Sequence, residues 1–304
     1  AKPYDDATAH DDPGIPLHID ADVLTQARSS VQATYDRIIK DLDEAIKYLP
    51  GSLQILNRNR PCKPAALALL SRVYLNMRKY DMALDCAEKS LNIYDKIIDY
   101  NSSSNLKTND ETLYQSELGF GNLIFNSAAA RLGCKTLINS NLLRLYSSDD
   151  LRLQKYFKRS EPGDTIRGQS YAGLAWPFGG LAVDELYLIK SECLARKDDI
   201  PGAMAVLNSL IKNRYKTGTF KEYTATTKEE AKNIILAERR KELVFRGLRW
   251  QDLRRLNKEG ENISLRRILN GKEYTIAASN EDLWVLPIPP DELRYSGIQD
   301  NPRD

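Results

Sequence analysis

From Leu24 the apolar positions recur at steps of three and four. Val31, Tyr35, Ile38, Ile39, Leu42, Ala45, Ile46 and Leu49 mark one face of a helix, and Pro50-Gly51 ends it. The same period returns in Lys63 to Met77 and in Tyr80 to Tyr94, joined by a very short connection. That pattern predicts an αα-hairpin. A second hairpin is predicted from Glu185 to Arg196 and Met204 to Asn213, linked by Ile200-Pro201-Gly202-Ala203. Glu229 to Leu256 reads as a further helical run, opened by Lys228-Glu229-Glu230 and bent or interrupted at Gly247. Residues 1–20 read as loop, with Asp5-Asp6, Asp11-Asp12 and Pro at 3, 13 and 16. Near the end, Glu273 to Ile276 and Leu283 to Leu286 read as a small strand pair, stopped by Pro287, Pro289 and Pro290.

The two hairpins share a spacing. Ser71 precedes Ala83 by twelve residues, and Ser191 precedes Ala203 by the same twelve, 120 residues further on. Small residues at those places let antiparallel helices approach closely, and the first copy resembles a tetratricopeptide repeat hairpin. Leu194 and Ile200 stand where the first copy has Tyr74 and Tyr80, so the second copy is degenerate. Two unrelated amphipathic hairpins are the alternative reading. Between them, residues 101–180 form a loop-rich insertion. It holds Gly119, Gly121, Gly133, Gly163, Gly168, Gly173, Gly179 and Gly180 with scattered aromatics. Leu142 to Tyr146 and Leu151 to Phe157 are its expected short helices. Long loops inside a globular domain are often functional.

Charge and chemistry narrow the function classes. Lys plus Arg number 44 and Asp plus Glu 42, net +2, which argues against a dedicated nucleic-acid binder. The longest apolar run, Ala65 to Leu70, is far short of a membrane span. Cys62, Cys86, Cys134 and Cys193 form no CxxC pair. Cys86 and Cys193 read as small core residues, and a Cys62–Cys86 disulfide stays open. His10 and His18 are the only histidines, and no metal or cofactor set is expected. There is no HExxH, GxSxG, GxxxxGK[ST] or GxGxxG, so no enzyme is expected.

Glu238 to Arg255 is the densest charged stretch. Leu243, Phe245, Trp250 and Leu253 interleave with its ions, which predicts an ion-paired, partly buried helix. Arg239, Trp250 and Leu253 are expected to be buried, with Arg239 or Arg249 paired to a carboxylate.

The run Glu238-Arg-Arg-Lys-Glu-Leu243 through Gly247, Arg249-Trp250, Asp252-Leu253 and Arg254 resembles the C-terminal signature of the SusD/RagB family. Other stretches fall in the family's order: Gly14-Ile-Pro-Leu17, YDRIIKDLDEAIKYLP from Tyr35 to Pro50, Leu186 to Asn208 with Arg214, and Leu286-Pro-Ile-Pro-Pro290 with Asp300-Asn-Pro302. Three positions depart from it. Arg246 stands where the family has an acid, Leu248 where it has a polar residue, and Asp300 where it has Gln.

The resemblance implies a mainly α fold: a tetratricopeptide-like helical-hairpin scaffold with a long irregular insertion and one small β-hairpin. One domain over 1–304 is expected. Its parts are the N-terminal loop 1–20, helices 24–100 with the hairpin 63–94, the insertion 101–180, the second hairpin and signature helix 182–256, and the β-hairpin and Pro-rich segment 257–304. It also implies a non-catalytic lipoprotein on the outer face of the Bacteroidetes outer membrane. Such a protein captures glycans or other nutrients for a SusC-like TonB-dependent transporter. Its membrane attachment is expected only through an N-terminal lipid absent from this chain. A helical scaffold that binds a protein partner only is the alternative. Rings in the insertion are then either a lid or a stacking platform for sugar. The candidate ligand residues are Trp176, Tyr171, Arg167, Tyr146 and Tyr114.

Overall fold

A computed structural model describes residues 1–19, 27–53, 55–102, 109–117, 137–159, 171 and 177–302, and the backbone of 165–167. In chain order the elements are β1 (Pro13–Pro16), β2 (Arg28–Ser30), α1 (Val31–Tyr48), α2 (Lys63–Asn76), α3 (Tyr80–Ile93), β3 (Thr112–Tyr114), α4 (Ser140–Leu143), α5 (Arg152–Tyr156), β4 (Phe157–Arg159), β5 (Thr165–Arg167), β6 (Leu181–Ala182), α6 (Val183–Arg196), α7 (Ile200–Ile211), α8 (Lys228–Glu242), α9 (Arg249–Asn257), β7 (Leu265–Leu269), β8 (Lys272–Ile276) and α10 (Pro290–Ser296). The fold is mainly helical, and the strands among the described residues form four two-stranded antiparallel pairs: β1–β2, β3–β6, β4–β5 and β7–β8. The chain divides into two compact units. One comprises Ala1–Asp43, Asn76–Arg78 and Trp250–Asp304; the other comprises Glu44–Leu75 and Lys79–Arg249.

The larger unit holds the repeat. α2 is buried almost all round, from Pro64 to Leu75, as a helix within a core must be. α3 packs on α6, and α6 packs in turn on α7 and α8. The hydroxyl of Ser71 donates to the Ala83 carbonyl at 2.8 Å, and that of Ser191 donates to the Ala203 carbonyl at 2.8 Å. The turns match as well. Lys79 N–H reaches Tyr74 O at 2.9 Å, and Asp199 N–H reaches Leu194 O at 3.0 Å. The residue before each donor is left-handed, with φ 62° at Arg78 and 68° at Asp198. Two hairpins with one hydrogen-bond plan are copies of one unit, however far their side chains have drifted. The core of α7 and α8 includes Leu207, Leu210, Ile211, Ala231 and Ile235, all at 0% exposure.

The described part of the insertion contributes to a second core. Tyr146, Tyr156, Phe157, Tyr171 and Phe178 join Tyr100 in one buried cluster. Gly180 is required there, because a Cβ would lie 2.0 Å from the Tyr114 carbonyl oxygen. Cys62, Cys86 and Cys193 are buried free thiols, and Cys134 lies outside the described residues.

Two local expectations are corrected, and the interruption expected at Gly247 is found. Residues 13–16 form strand β1 rather than loop, because Val31 and Gln32 donate back to Asp12 and Ala9 and hold β2 beside it. The helical run through 256 breaks into α8 and α9, with Phe245 at φ 63° and Gly247 at φ 75° between them. The partner of residues 272–276 is 265–269, not 283–286, which instead begins in a 3-10 turn over Glu281–Trp284. Asn270 and Gly271, at φ 51° and 76°, make the two-residue turn that selects this pairing.

In the smaller unit Trp284 is buried, and its indole N–H donates to Ala277 O at 2.9 Å. Trp250 lies against it at 5.0 Å between centroids, but is only half-buried, less than its expected burial. Leu253 and Leu256 are each 1% exposed beside them in sequence on α9. No helix among the described residues is long and apolar enough to cross a membrane.

Candidate functional site

The segment richest in charge is also largely buried. Glu238, Lys241 and Glu242 project from α8 into a network of ions in the larger unit. Arg152, at 0% exposure, grips Asp150 with Nε and Nη2 at 2.8 and 2.7 Å, Glu238 at 2.8 Å and Glu242 at 2.9 Å. Arg214, also at 0%, reaches Glu242 at 2.8 Å, both oxygens of Glu111 at 2.8 and 2.9 Å, and the Ile98 carbonyl at 2.8 Å. Lys241 bridges Glu238 and Asp150 at 2.7 and 3.0 Å. Arg72 holds Glu185, with Nε at 2.8 Å from Oε1, and Arg239 Nη2 stands 3.9 Å from the same atom. Arg239 is therefore buried and faces a carboxylate, as the spacing predicts.

Burial of this kind moves proton affinities. Burial pushes the Asp184 carboxyl up to about 7, against the pull of the Arg246 guanidinium. Burial also works against ionisation of Glu185, but Arg72, with Arg246 and Arg239, outweighs it and holds that carboxyl at about 2. Carboxylate atoms of Glu111, Asp184 and Glu242 lie within 4.8 Å of one another, close enough in principle to share a cation. Each is already engaged by a guanidinium of Arg214, Arg246 or Arg152, so the cluster is internally compensated.

The candidate ligand residues divide. Tyr146 is 7% exposed and donates to the Lys241 carbonyl at 2.8 Å. Tyr171 is 5% exposed, donates to Glu111, and has the Arg246 guanidinium 4.6 Å from its ring centroid. Both rings sit in the aromatic cluster of the insertion. Tyr114 is half-buried on β3. Arg167 is placed only by its backbone on β5, opposite Phe157, and Trp176 lies outside the described residues.

A concave surface exists in the smaller unit, which the pattern of apolar positions did not mark. It is an open cleft of about 580 Å³ between the β1–β2 pair and the segment after α10. Arg28 closes its frame, donating to Gly14 O at 3.0 Å, Pro13 O at 2.9 Å, Gln299 O at 3.1 Å and Asn301 Oδ1 at 2.9 Å. Asn301 passes the contact on to Leu286 O at 2.9 Å, and Asp300 Oδ1 accepts from Ile288 N–H at 2.9 Å. Strand β1 at Gly14 and the closing Asn-Pro element are thus tied together by one arginine.

The sequence model described as the SusD family matches residues 93–302, more than half of the chain. This chain belongs to the SusD family. A second model, described as starch-binding associating with outer membrane, matches residues 2–75. Among solved structures, a SusD superfamily protein from Bacteroides thetaiotaomicron aligns at TM-score 0.75 and 22% identity, covering 100% of this chain and 73% of that one. One from Bacteroides fragilis aligns at 0.74 and 18%, covering 96% and 70%. A SusD-like carbohydrate binding protein from Bacteroides vulgatus aligns at 0.68 and 17%, covering 94% and 70%. At these identities the likeness is one of fold. No curated protein matches the chain.

Proposed function

We propose that this SusD-family chain captures carbohydrate at the outer membrane and hands it to a TonB-dependent transporter of the SusC type. In this reading it is a binding protein rather than an enzyme, lipid-anchored and facing the exterior. The observation that carries the reading is the family match over residues 93–302. Support comes from the outer-membrane, starch-binding description of the family matching residues 2–75 and from the likeness to the SusD-like carbohydrate binding protein of Bacteroides vulgatus. The buried ions support it too. They are spent on one another, so they brace the scaffold rather than stand ready for acid–base work. The helical hairpins supply the rigid body a transporter would grip, and the loops and cleft supply places for sugar.

The reading is tested by presenting the protein to a glycan array and by co-purifying it with a SusC-like transporter expressed beside it. Saturable glycan binding together with a stable complex is expected. A protein that binds the transporter but no glycan is instead the protein-only scaffold.

A further inference from the structure

The cleft of the smaller unit has the chemistry of a receptor, and the inference drawn from it rests on the carbohydrate reading above. Its volume of about 580 Å³ falls in the range of small-molecule sites. Its frame is preformed, because the four hydrogen bonds of Arg28 fix three separate chain segments around it. Around that frame lie polar side chains open to solvent and so to a ligand. His10, Asp11, Ser29 and Gln299 line the cleft, and among the described residues none of these side chains has a hydrogen-bond partner.

The uncommitted groups alternate in kind. A carboxylate accepts from two hydroxyls, an amide both donates and accepts, and Ser and His do either. That is the set that reads vicinal diols. Pro13 and Ile298 add apolar edges on which the C–H face of a sugar ring can rest.

Charge decides which sugars fit. The Arg28 guanidinium is committed to its four acceptors, and Asp12 is neutralised by Lys2 at 3.1 Å. Asp11, exposed on the lining, carries a negative charge with no ion partner among the described residues. An acidic sugar would meet it with like charge and, among the described lining residues, with no uncommitted cation to receive its own carboxylate. We propose that this cleft is a binding site for a neutral, hydroxyl-rich ligand, a hexose unit or short neutral oligosaccharide, with Asp11 and Gln299 as its principal hydrogen-bonding pair.

The test uses an array carrying neutral glycans, maltoheptaose among them, beside acidic ones such as oligogalacturonate. Calorimetry with the tightest neutral glycan then compares the wild type, Asp11→Ala/Gln299→Ala, His10→Ala/Gln299→Ala, and Tyr274→Ala on the remote exposed hairpin. Neutral glycans are expected to bind and oligogalacturonate not. Each cleft pair should weaken binding about tenfold, the loss of two modest hydrogen bonds, with the melting temperature and the Tyr274→Ala affinity unchanged. If both cleft pairs bind as the wild type does, the site is overturned and carbohydrate capture stands. Binding confined to acidic glycans overturns the assignment of ligand class. A wild type that binds nothing on the array overturns carbohydrate capture, and this site with it.

Discussion

Arg246 sets Nη1 at 2.8 and 2.6 Å from the two carboxylate oxygens of Asp184. Both side chains are buried, at 4% and 0% exposure, and the guanidinium also lies over the rings of Tyr171 and Phe178 at 4.6 and 5.0 Å. The family resemblance places an acid at this position. Here a cation stands there instead, and it finds the first acid of α6 and the aromatic floor of the insertion. Arg246→Ala should leave the buried Asp184 carboxyl without its cation, driving it to the neutral form and leaving it without a bonding partner there, at a cost of about 1–3 kcal/mol. Arg246→Met with Asp184→Leu should recover most of that loss. Urea denaturation of the single and double variants checks it; equal losses in both would mean the pair is not the source of the stability.

The two carboxyls at the start of α6 pull stability in opposite directions with pH. The folded protein holds the Asp184 proton up to about 7, above the ordinary 3.8, so its contribution is complete below that ordinary value and is lost as pH rises through about 7. Glu185 is held at about 2, below its ordinary 4.5, so its contribution is complete above 4.5 and is lost as pH falls towards 2. The melting temperature should therefore rise as pH is lowered from about 8 to about 5 and fall again below about 4. Asp184→Asn should flatten the first limb and leave the second. A calorimetric pH series shows both limbs or neither.

The repeat was legible because its constraint is local. A small residue must face a small residue twelve positions on, and Ser71 with Ala83 and Ser191 with Ala203 say so whatever surrounds them. The hairpin β7–β8 was legible too, through Asn270-Gly271, but a competing strand-like run at Leu283 to Leu286 drew the pairing away. The insertion was not. Tyr171 looks like a surface ring because Gly and polar residues flank it, and Tyr146 because Ser147-Ser148-Asp149-Asp150 follow it; the partners that mark them as core, the Glu111 carboxylate and the Lys241 carbonyl, are distant in sequence. The cleft was hidden for the same reason. Arg28 and Asn301 are 273 residues apart, and no periodicity links them.

The serine bridges predict a paired result. Each hydroxyl is fully buried and satisfied by one carbonyl, so Ser71→Ala and Ser191→Ala should each cost about 1 kcal/mol. Because the sites share no partner, the double variant should cost the sum within about 0.5 kcal/mol. Denaturation midpoints of the three variants measure it. A strongly non-additive double would show that the two hairpins do not pack as independent copies.

The β7–β8 hairpin predicts a change confined to itself. Ile268, Leu269 and Tyr274 are 64%, 60% and 49% exposed, so little of the core depends on it. Its register rests on Asn270 and Gly271, both with positive φ. Gly271→Val puts a β-branched side chain where the backbone sits at φ 76°, and should dissolve the pairing from Leu269 back to Leu265. Amide exchange should accelerate from residue 265 to residue 276 while the global melting temperature holds. Protection lost in α9 as well would mean the hairpin braces that helix.

Tyr171 separates the two roles proposed for the insertion. Its hydroxyl donates to Glu111, which Arg214 also holds, and its ring packs on Phe178 at 5.2 Å. Tyr171→Ala should open a cavity and cost about 3–5 kcal/mol, so any loss of glycan binding in that variant would follow loss of fold. Tyr171→Phe keeps the ring and removes only the donor, at a cost of about 1–2 kcal/mol. The Phe variant is the informative one. It should bind glycan with wild-type affinity at a temperature where it is fully folded, because a buried hydroxyl bonded to Glu111 is not available to a sugar. A Phe variant that melts like the wild type yet binds weakly would return Tyr171 to the ligand face, and Trp176, five residues on, would then be the next ring to substitute.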